Sequence, residues 1–144
     1  MTETVVLPSE QDMLDFGGVL AKRVSPGDVV YLCGDLGAGK TTLIRGLLRA
    51  LGYNDRVKSP SYGLIESYPF ADRQVHHLDL YRLGHAEEIE YLGIPDLLDD
   101  GSLLLIEWAE KGEGYLPPST IQIQIADLPN GSRRLSLASS GDSG

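Results

Sequence analysis

Cysteine is almost missing from this sequence of 144 residues, which contains only Cys33. A single thiol cannot form an intramolecular disulfide, and no cysteine or histidine cluster has the spacing of a zinc site. We therefore expect a protein of a reducing compartment, the cytoplasm, without a structural metal ion.

Long hydrophobic runs are missing too. The longest is Val29–Cys33, far shorter than the roughly 20 residues of a membrane-spanning helix. The first residues also lack the apolar region of a signal peptide. We expect no association with a membrane.

Basic residues are scarce: Lys and Arg number 12 against 21 Asp and Glu, a net charge of −9. This sign does not suit a phosphate backbone, so no strong direct binding to nucleic acid is expected.

Hydrophobic residues make up 42%, enough for a core at this length, which excludes a disordered chain. We predict one domain over residues 1–138 and a frayed polar tail over 139–144.

Glycine, in contrast, is abundant, with 17 residues. The apolar run Val29–Cys33 predicts a buried strand, and leucines at helical spacing over 41–51 predict a helix that ends at Gly52. Between them lies the pattern G-x-x-x-x-G-K-S/T, in the strand–loop–helix context that phosphate binding requires. The predicted phosphate-binding residues are Gly34, Asp35, Leu36, Gly37, Ala38, Gly39, Lys40, Thr41 and Thr42.

Each part of this motif has a role in holding a triphosphate. Backbone N–H groups of the loop and the helix N-terminus face the anion, and the glycines allow their close approach. Lys40 is predicted to bridge the β- and γ-phosphate oxygens, and the Thr41 hydroxyl to ligate Mg²⁺. The predicted cofactors are ATP and Mg²⁺. Adenine is preferred to guanine because the sequence has no N-K-x-D motif for reading guanine.

A magnesium site of this kind also needs a carboxylate at the end of a neighbouring strand. Glu107 directly follows the apolar run Leu103–Ile106, which favours a metal ligand over a solvated strand-end charge. Asp79 is the second candidate catalytic carboxylate, the alternative being an ion pair with Arg82. Whether Asp79 orients water or holds the metal through water stays open.

The remaining segments predict the fold. Apolar spacing predicts a helix over 10–23 with Ser9 as its N-cap, and a short acidic helix over 86–92. Strand patterns cover residues 5–7, 63–68, 75–81, 103–106, 121–125 and 134–137. We predict an α/β fold of the P-loop NTPase type, a three-layer sandwich whose mixed sheet has a parallel core extended by antiparallel strands.

The histidines and the tryptophan are interpreted more simply. His76, His77 and His85 lack the cysteines and spacing of a metal set, so we interpret them as surface or packing residues. Trp108, next to Glu107, is interpreted as a packing residue.

Five blocks of the sequence, in this order, resemble the TsaE family and span nearly the whole chain. They are Gly34–Thr42, Lys58–Tyr62, His77–Leu83, Glu87–Glu88 and Ile106–Trp108. In the second block, Ser61 stands where the family usually has threonine; the serine keeps the hydroxyl and loses a methyl group.

The resemblance implies an ATP-binding and ATP-hydrolysing component required for N6-threonylcarbamoyladenosine, a modified nucleoside beside the anticodon of tRNA. Its implied partners are TsaB and TsaD, a complex on which the family member acts to allow repeated turnover. By the same resemblance, Thr41 and Glu107 match the family's magnesium ligands, and Asp79 matches a functionally important aspartate.

Two further matches are looser. Arg134 matches an arginine near the nucleotide, with Arg133 as a competitor, and residues 6–9 match a segment that touches adenine.

Two other functions remain as alternatives. A P-loop also serves small-molecule kinases, although the sequence has no arginine-rich insertion long enough for a lid. The chain could also be a binding module that is controlled by nucleotide and no longer depends on hydrolysis.

Overall fold

The computed structural model describes residues 2–34, 39–54, 57, 65–70, 73–99 and 101–139. The predicted phosphate-binding residues Asp35, Leu36, Gly37 and Ala38, the block Lys58–Tyr62 and residues 140–144 therefore lie outside the described residues. Among the described residues, no helix is long and apolar enough to cross a membrane.

Seven strands form one mixed sheet in the order β1-β7-β6-β2-β5-β4-β3. They are β1 Thr2–Leu7, β2 Val29–Cys33, β3 Ile65–Pro69, β4 Gln74–Asp79, β5 Leu103–Glu107, β6 Ile121–Asp127 and β7 Arg133–Ser139. The four central strands β6, β2, β5 and β4 are parallel, and the outer strands pair antiparallel. The predicted fold class, a parallel core extended by antiparallel strands, is confirmed.

Helices cover both faces of the sheet. They are α1 Glu10–Arg23, α2 Lys40–Leu51 and α3 Ile94–Asp99, with two 3₁₀ helices at Ala86–Leu92 and Ala109–Gly112. The Ser9 hydroxyl accepts a hydrogen bond from the Asp12 N–H at 3.2 Å, which caps α1 as predicted. Gly52 ends α2 at φ 114°, where a residue without Cβ is favoured.

Alternation along β5 divides the core between the two faces. Leu103 and Leu105 pack with α1 and α2 on one face, whereas Leu104 and Ile106 pack with the 3₁₀ helices and α3 on the other. Every residue of β5 is buried, because parallel central strands are covered by helices on both sides. The side chain of Glu107, in phase with Leu105, therefore belongs to the face of α2.

Helices α1 and α2 cross through two glycines. A Cβ on Gly17 would lie 2.6 Å from the Leu43 carbonyl oxygen, and a Cβ on Gly46 would overlap the Leu14 carbonyl. The backbones touch directly here, so the position of α2, and of the residues at its N-terminus, depends on α1.

Some element boundaries differ from the prediction. β1 begins at Thr2 instead of residue 5, because its first residues pair with β7. β4 ends at Asp79, and β7 extends over Arg133–Ser139. These strand ends are set by their partners across the sheet, which the local pattern does not contain. The assignment of residues 1–138 to one domain stays a prediction.

Candidate functional site

The carboxyl ends of the parallel strands form one edge of the sheet beside the N-terminus of α2. β2 leads to Gly34, β4 ends at Asp79 and β5 ends at Glu107. Clefts at this edge are where open α/β sheets bind ligands. The described part of the motif, Gly34 with Gly39 and Lys40, therefore lies where a nucleotide site is expected.

Lys40 is the first residue of α2 and is 5% exposed. Its Nζ donates a hydrogen bond of 2.7 Å to the Gly34 carbonyl and lies 4.0 Å from the centre of the Trp108 ring. Both contacts satisfy the buried ammonium group within the protein.

Gly39 shapes the start of α2. Its φ is 102°, a backbone conformation that favours glycine. Its carbonyl accepts the hydrogen bond from the Leu43 N–H at 3.0 Å. The first N–H groups of a helix have no partner within the helix itself, which is why helix N-termini suit anions in general.

The two candidate carboxylates lie on adjacent strands in register. Asp79 is opposite Glu107 in the β4–β5 pair, and Glu107 is 3% exposed. Asp79 is half-buried, and its Oδ1 accepts the Tyr81 N–H at 3.1 Å. Burial raises the pKa of Asp79 above its ordinary 3.8, and the charge of Glu107 raises it further. The Tyr81 N–H and the charge of Lys40 oppose this rise.

His77 was missed as a site residue. It is fully buried, and its Nε2 lies 2.6 Å from Glu107 Oε2. Its neighbour His76 faces the opposite side of β4, with Nδ1 2.7 Å from the Ser67 hydroxyl, so the packing interpretation holds there. The signal for His77 is its spacing of two residues from Asp79, which puts both on one strand face.

The two arginines at the start of β7 are separated by strand alternation. Arg133 lines a cleft of about 280 Å³ with Gly39 and Thr42, and its Nε lies 2.9 Å from Asp127 Oδ1. Arg134 is exposed and is not among the residues that line this cleft. The structure thus places Arg133, the competitor, at the cleft beside the N-terminus of α2.

The same cleft reaches the N-terminal segment. Leu7 and Ser9 line it together with Met13. Part of the segment 6–9, matched to an adenine contact, is therefore beside the N-terminus of α2.

A larger cleft, of about 700 Å³, lies on the other side of Gly34 and Trp108. Its wall includes Cys33, whose pKa burial raises, as expected of a packed thiol and not of a reactive one. Trp108 packs against the core on this face, which confirms the packing interpretation. It has a φ of 60°, uncommon for a residue with a side chain.

The donor set fits magnesium. A threonine hydroxyl at position 41 and the carboxylate of Glu107 are oxygen ligands of the kind that Mg²⁺ prefers. Within the described ranges no three His, Cys, Asp or Glu side chains converge as a complete metal site. Magnesium at nucleotide sites needs only one or two protein carboxylates, because phosphates and water complete its shell.

Comparison with known proteins gives a consistent result. The family model described as "Threonylcarbamoyl adenosine biosynthesis protein TsaE" matches residues 7–135. A Haemophilus influenzae protein described as "tRNA threonylcarbamoyladenosine biosynthesis protein TsaE" is 45% identical over 139 residues, 93% of this chain and 87% of that protein. A Bacillus subtilis protein with the same description is 36% identical over 122 residues, 85% of this chain and 76% of that protein.

A solved structure agrees as well. The crystal structure of Bacillus subtilis YdiB superposes with a TM-score of 0.84 at 27% identity, over 99% of this chain and 88% of that chain. With the match of the family model over most of the sequence, the conclusion is direct: this chain belongs to the TsaE family.

Proposed function

We propose that this protein binds and hydrolyses ATP with Mg²⁺ and acts in the N6-threonylcarbamoyladenosine modification of tRNA, on a complex of TsaB and TsaD. The pathway follows from the family. The observation that carries the ATPase proposal is the buried Lys40, held at the Gly34 carbonyl beside Trp108, on the sheet edge where Asp79 and Glu107 end their strands.

Lys40 acts as the phosphate-binding cation in this proposal. Its ammonium group exchanges the Gly34 carbonyl, 2.7 Å away, for phosphate oxygens, which carry more negative charge. The Trp108 ring beside the ammonium limits its access to water. A charge already positioned in a poorly hydrated site stabilises the developing negative charge of phosphoryl transfer at little reorganisation cost.

Thr41 and Glu107 would hold the magnesium ion, whose charge neutralises the β- and γ-phosphate oxygens when it is bound. Asp79, one strand farther along the sheet edge and half-buried, would orient the attacking water or a water on the metal. Arg133 and the segment at Leu7 and Ser9 would enclose the nucleotide from the other side of α2.

Partner action explains the charge of the molecule. The net charge of −9 disfavours direct binding to tRNA, whereas a protein that acts on another protein complex needs no basic groove of its own. This supports TsaB–TsaD, and not the tRNA, as the direct partner.

The first experiment measures magnesium-dependent ATP hydrolysis by the protein alone and with its cognate TsaB–TsaD pair. We expect the pair to stimulate hydrolysis, and Lys40→Ala to reduce turnover by about 100-fold or more, since it removes preorganised charge at the phosphates. Lys111→Ala is the matched control, because Lys111 also lies over an aromatic ring, that of Tyr81 at 5.1 Å, but is not part of the phosphate motif.

The outcomes separate the alternatives. Equal turnover in Lys40→Ala and wild type contradicts the ATPase site. Binding to TsaB–TsaD without stimulated hydrolysis favours a nucleotide-controlled binding module.

One observation favours testing the kinase alternative as well. The cleft of about 700 Å³ adjoins the phosphate site at Gly34 and Trp108, where a phosphate acceptor could lie. ATP consumption that appears only when a metabolite mixture is added, and is unaffected by TsaB–TsaD, favours a kinase.

A further inference from the structure

Glu107 and His77 form a buried pair at the sheet edge. The side chains are 4% and 0% exposed, and Nε2 and Oε2 are 2.6 Å apart. A carboxylate removed from water to this degree is costly unless a donor satisfies it. His77 is the donor that the fold provides to Oε2.

The other ring nitrogen defines the tautomer. No described residue forms a hydrogen bond with His77 Nδ1, which is itself buried. A buried N–H without an acceptor is costly, whereas an unprotonated ring nitrogen without a donor costs less. The geometry therefore assigns a proton to Nε2, which donates it to Glu107 Oε2.

This bond fixes one oxygen of the carboxylate and leaves the other, Oε1, for a ligand. Histidine–carboxylate pairs of this kind orient metal ligands in many proteins, and loss of the outer member weakens metal binding about 10- to 100-fold. His77 lies on β4 and Glu107 on β5, so their bond also joins the strand that carries Asp79 to the strand that carries the metal ligand.

We propose that His77 is a positioning residue for Glu107: its Nε2–H holds Oε2 so that Oε1 is presented to the magnesium ion of the bound nucleotide. This inference rests on the proposed function for the ion itself. The bond between the two side chains is supported by the 2.6 Å distance between Nε2 and Oε2 and does not depend on that function.

The first test reads the tautomer without activity. In ¹⁵N-labelled apo protein, the His77 ring should show a protonated Nε2, with the resonances assigned from the His77→Gln variant. A ring that is protonated on Nδ1 and not on Nε2 overturns the proposal.

The second test measures ADP binding by calorimetry as a function of Mg²⁺ concentration. His77→Gln and His77→Asn form a matched pair: the longer amide can place an N–H near the Nε2 position, and the shorter one cannot. We expect His77→Asn to raise the Mg²⁺ concentration for half-saturation about tenfold or more, and His77→Gln to recover most of this loss. ADP affinity without Mg²⁺ should change by less than about twofold in both.

His76→Asn is the control for a merely structural effect. It removes the bond to Ser67 on the opposite face of the same strand and should leave the Mg²⁺ dependence unchanged. An equal shift in His76→Asn, an unchanged Mg²⁺ dependence in His77→Asn, or an equal loss of ADP affinity with and without Mg²⁺ overturns the positioning role. If wild-type protein binds ADP without any effect of Mg²⁺, the proposed magnesium-dependent function fails first, and the positioning role with it.

Discussion

Two arginines that are neighbours in the chain differ in where strand alternation places their side chains. Arg133 and Arg134 follow each other at the start of β7, but only Arg133 lines the cleft beside Gly39 and Thr42. Asp127, 2.9 Å from its Nε, and the Gly131 carbonyl, 3.2 Å from one of its terminal nitrogens, hold the guanidinium group in place. A guanidinium group fixed in this way is prepared to bind an anionic ligand.

We expect Arg133→Ala to weaken ATP binding about tenfold, because a charge-assisted hydrogen bond contributes roughly 1.5–3 kcal/mol. Arg134→Ala, which removes the same charge from the other face of β7, should stay within about twofold of wild type. Calorimetric titration of ATP into both variants checks this. A stronger effect at Arg134 would return the assignment to that residue.

At the scale of elements, the contact between α1 and α2 positions the site. Lys40 is at the N-terminus of α2, and α2 rests on α1 where Gly17 and Gly46 allow the backbones to meet. The position of Lys40 therefore depends on a helix crossing elsewhere in α2.

Gly17→Ala and Gly18→Ala test this crossing with one added methyl group each. At Gly17 the methyl meets the backbone of α2, whereas at Gly18 its nearest neighbour is the Ala50 Cβ at 3.8 Å, an ordinary contact. We expect Gly17→Ala to destabilise the protein by about 1–3 kcal/mol through overpacking, and Gly18→Ala to stabilise it by roughly 0.5–1 kcal/mol through helix propensity. Denaturant unfolding of both variants measures the difference; similar stabilities would show that α2 can move away at no cost.

At the scale of the whole molecule, one carboxylate, that of Asp79, opposes folding when it is ionised. The chain has a net charge of −9, and Asp79 and Glu107 are paired across two strands. Because the pKa of Asp79 is raised in the folded protein, the folded state binds this proton more tightly than the unfolded state. Stability therefore falls as the pH rises through the range between the unfolded and folded pKa values.

We expect Asp79→Asn to raise the melting temperature at neutral pH, where the ionised carboxylate opposes folding, and the gain to vanish as the pH falls toward 3.8. The same substitution should lower ATP turnover. Thermal unfolding across this pH range measures the first effect. Asp15→Asn, on the exposed side of α1, changes the net charge equally and should show no such gain.

The sequence was sufficient to predict those features that depend on residues close together in the chain. The phosphate pattern, the bounds of α1, the strand β2 and the carboxylate at the end of β5 are encoded by neighbouring residues. Arg133 and His77 are different, because strand pairing between distant segments decides which side chain reaches the cleft beside Gly39 or contacts Glu107. The phosphate-loop residues 35–38 and the segment Lys58–Tyr62 stay sequence predictions.

The sequence by itself determined the α/β order, the capped helix after Ser9 and the set of Lys40, Thr41 and Glu107, since periodicity, caps and motif spacing act over a few residues. Only the tertiary structure decided that His77 Nε2 lies 2.6 Å from Glu107 Oε2 and that Gly17 lies against α2. These contacts join segments far apart in the chain, and their geometry follows from sheet register and helix packing.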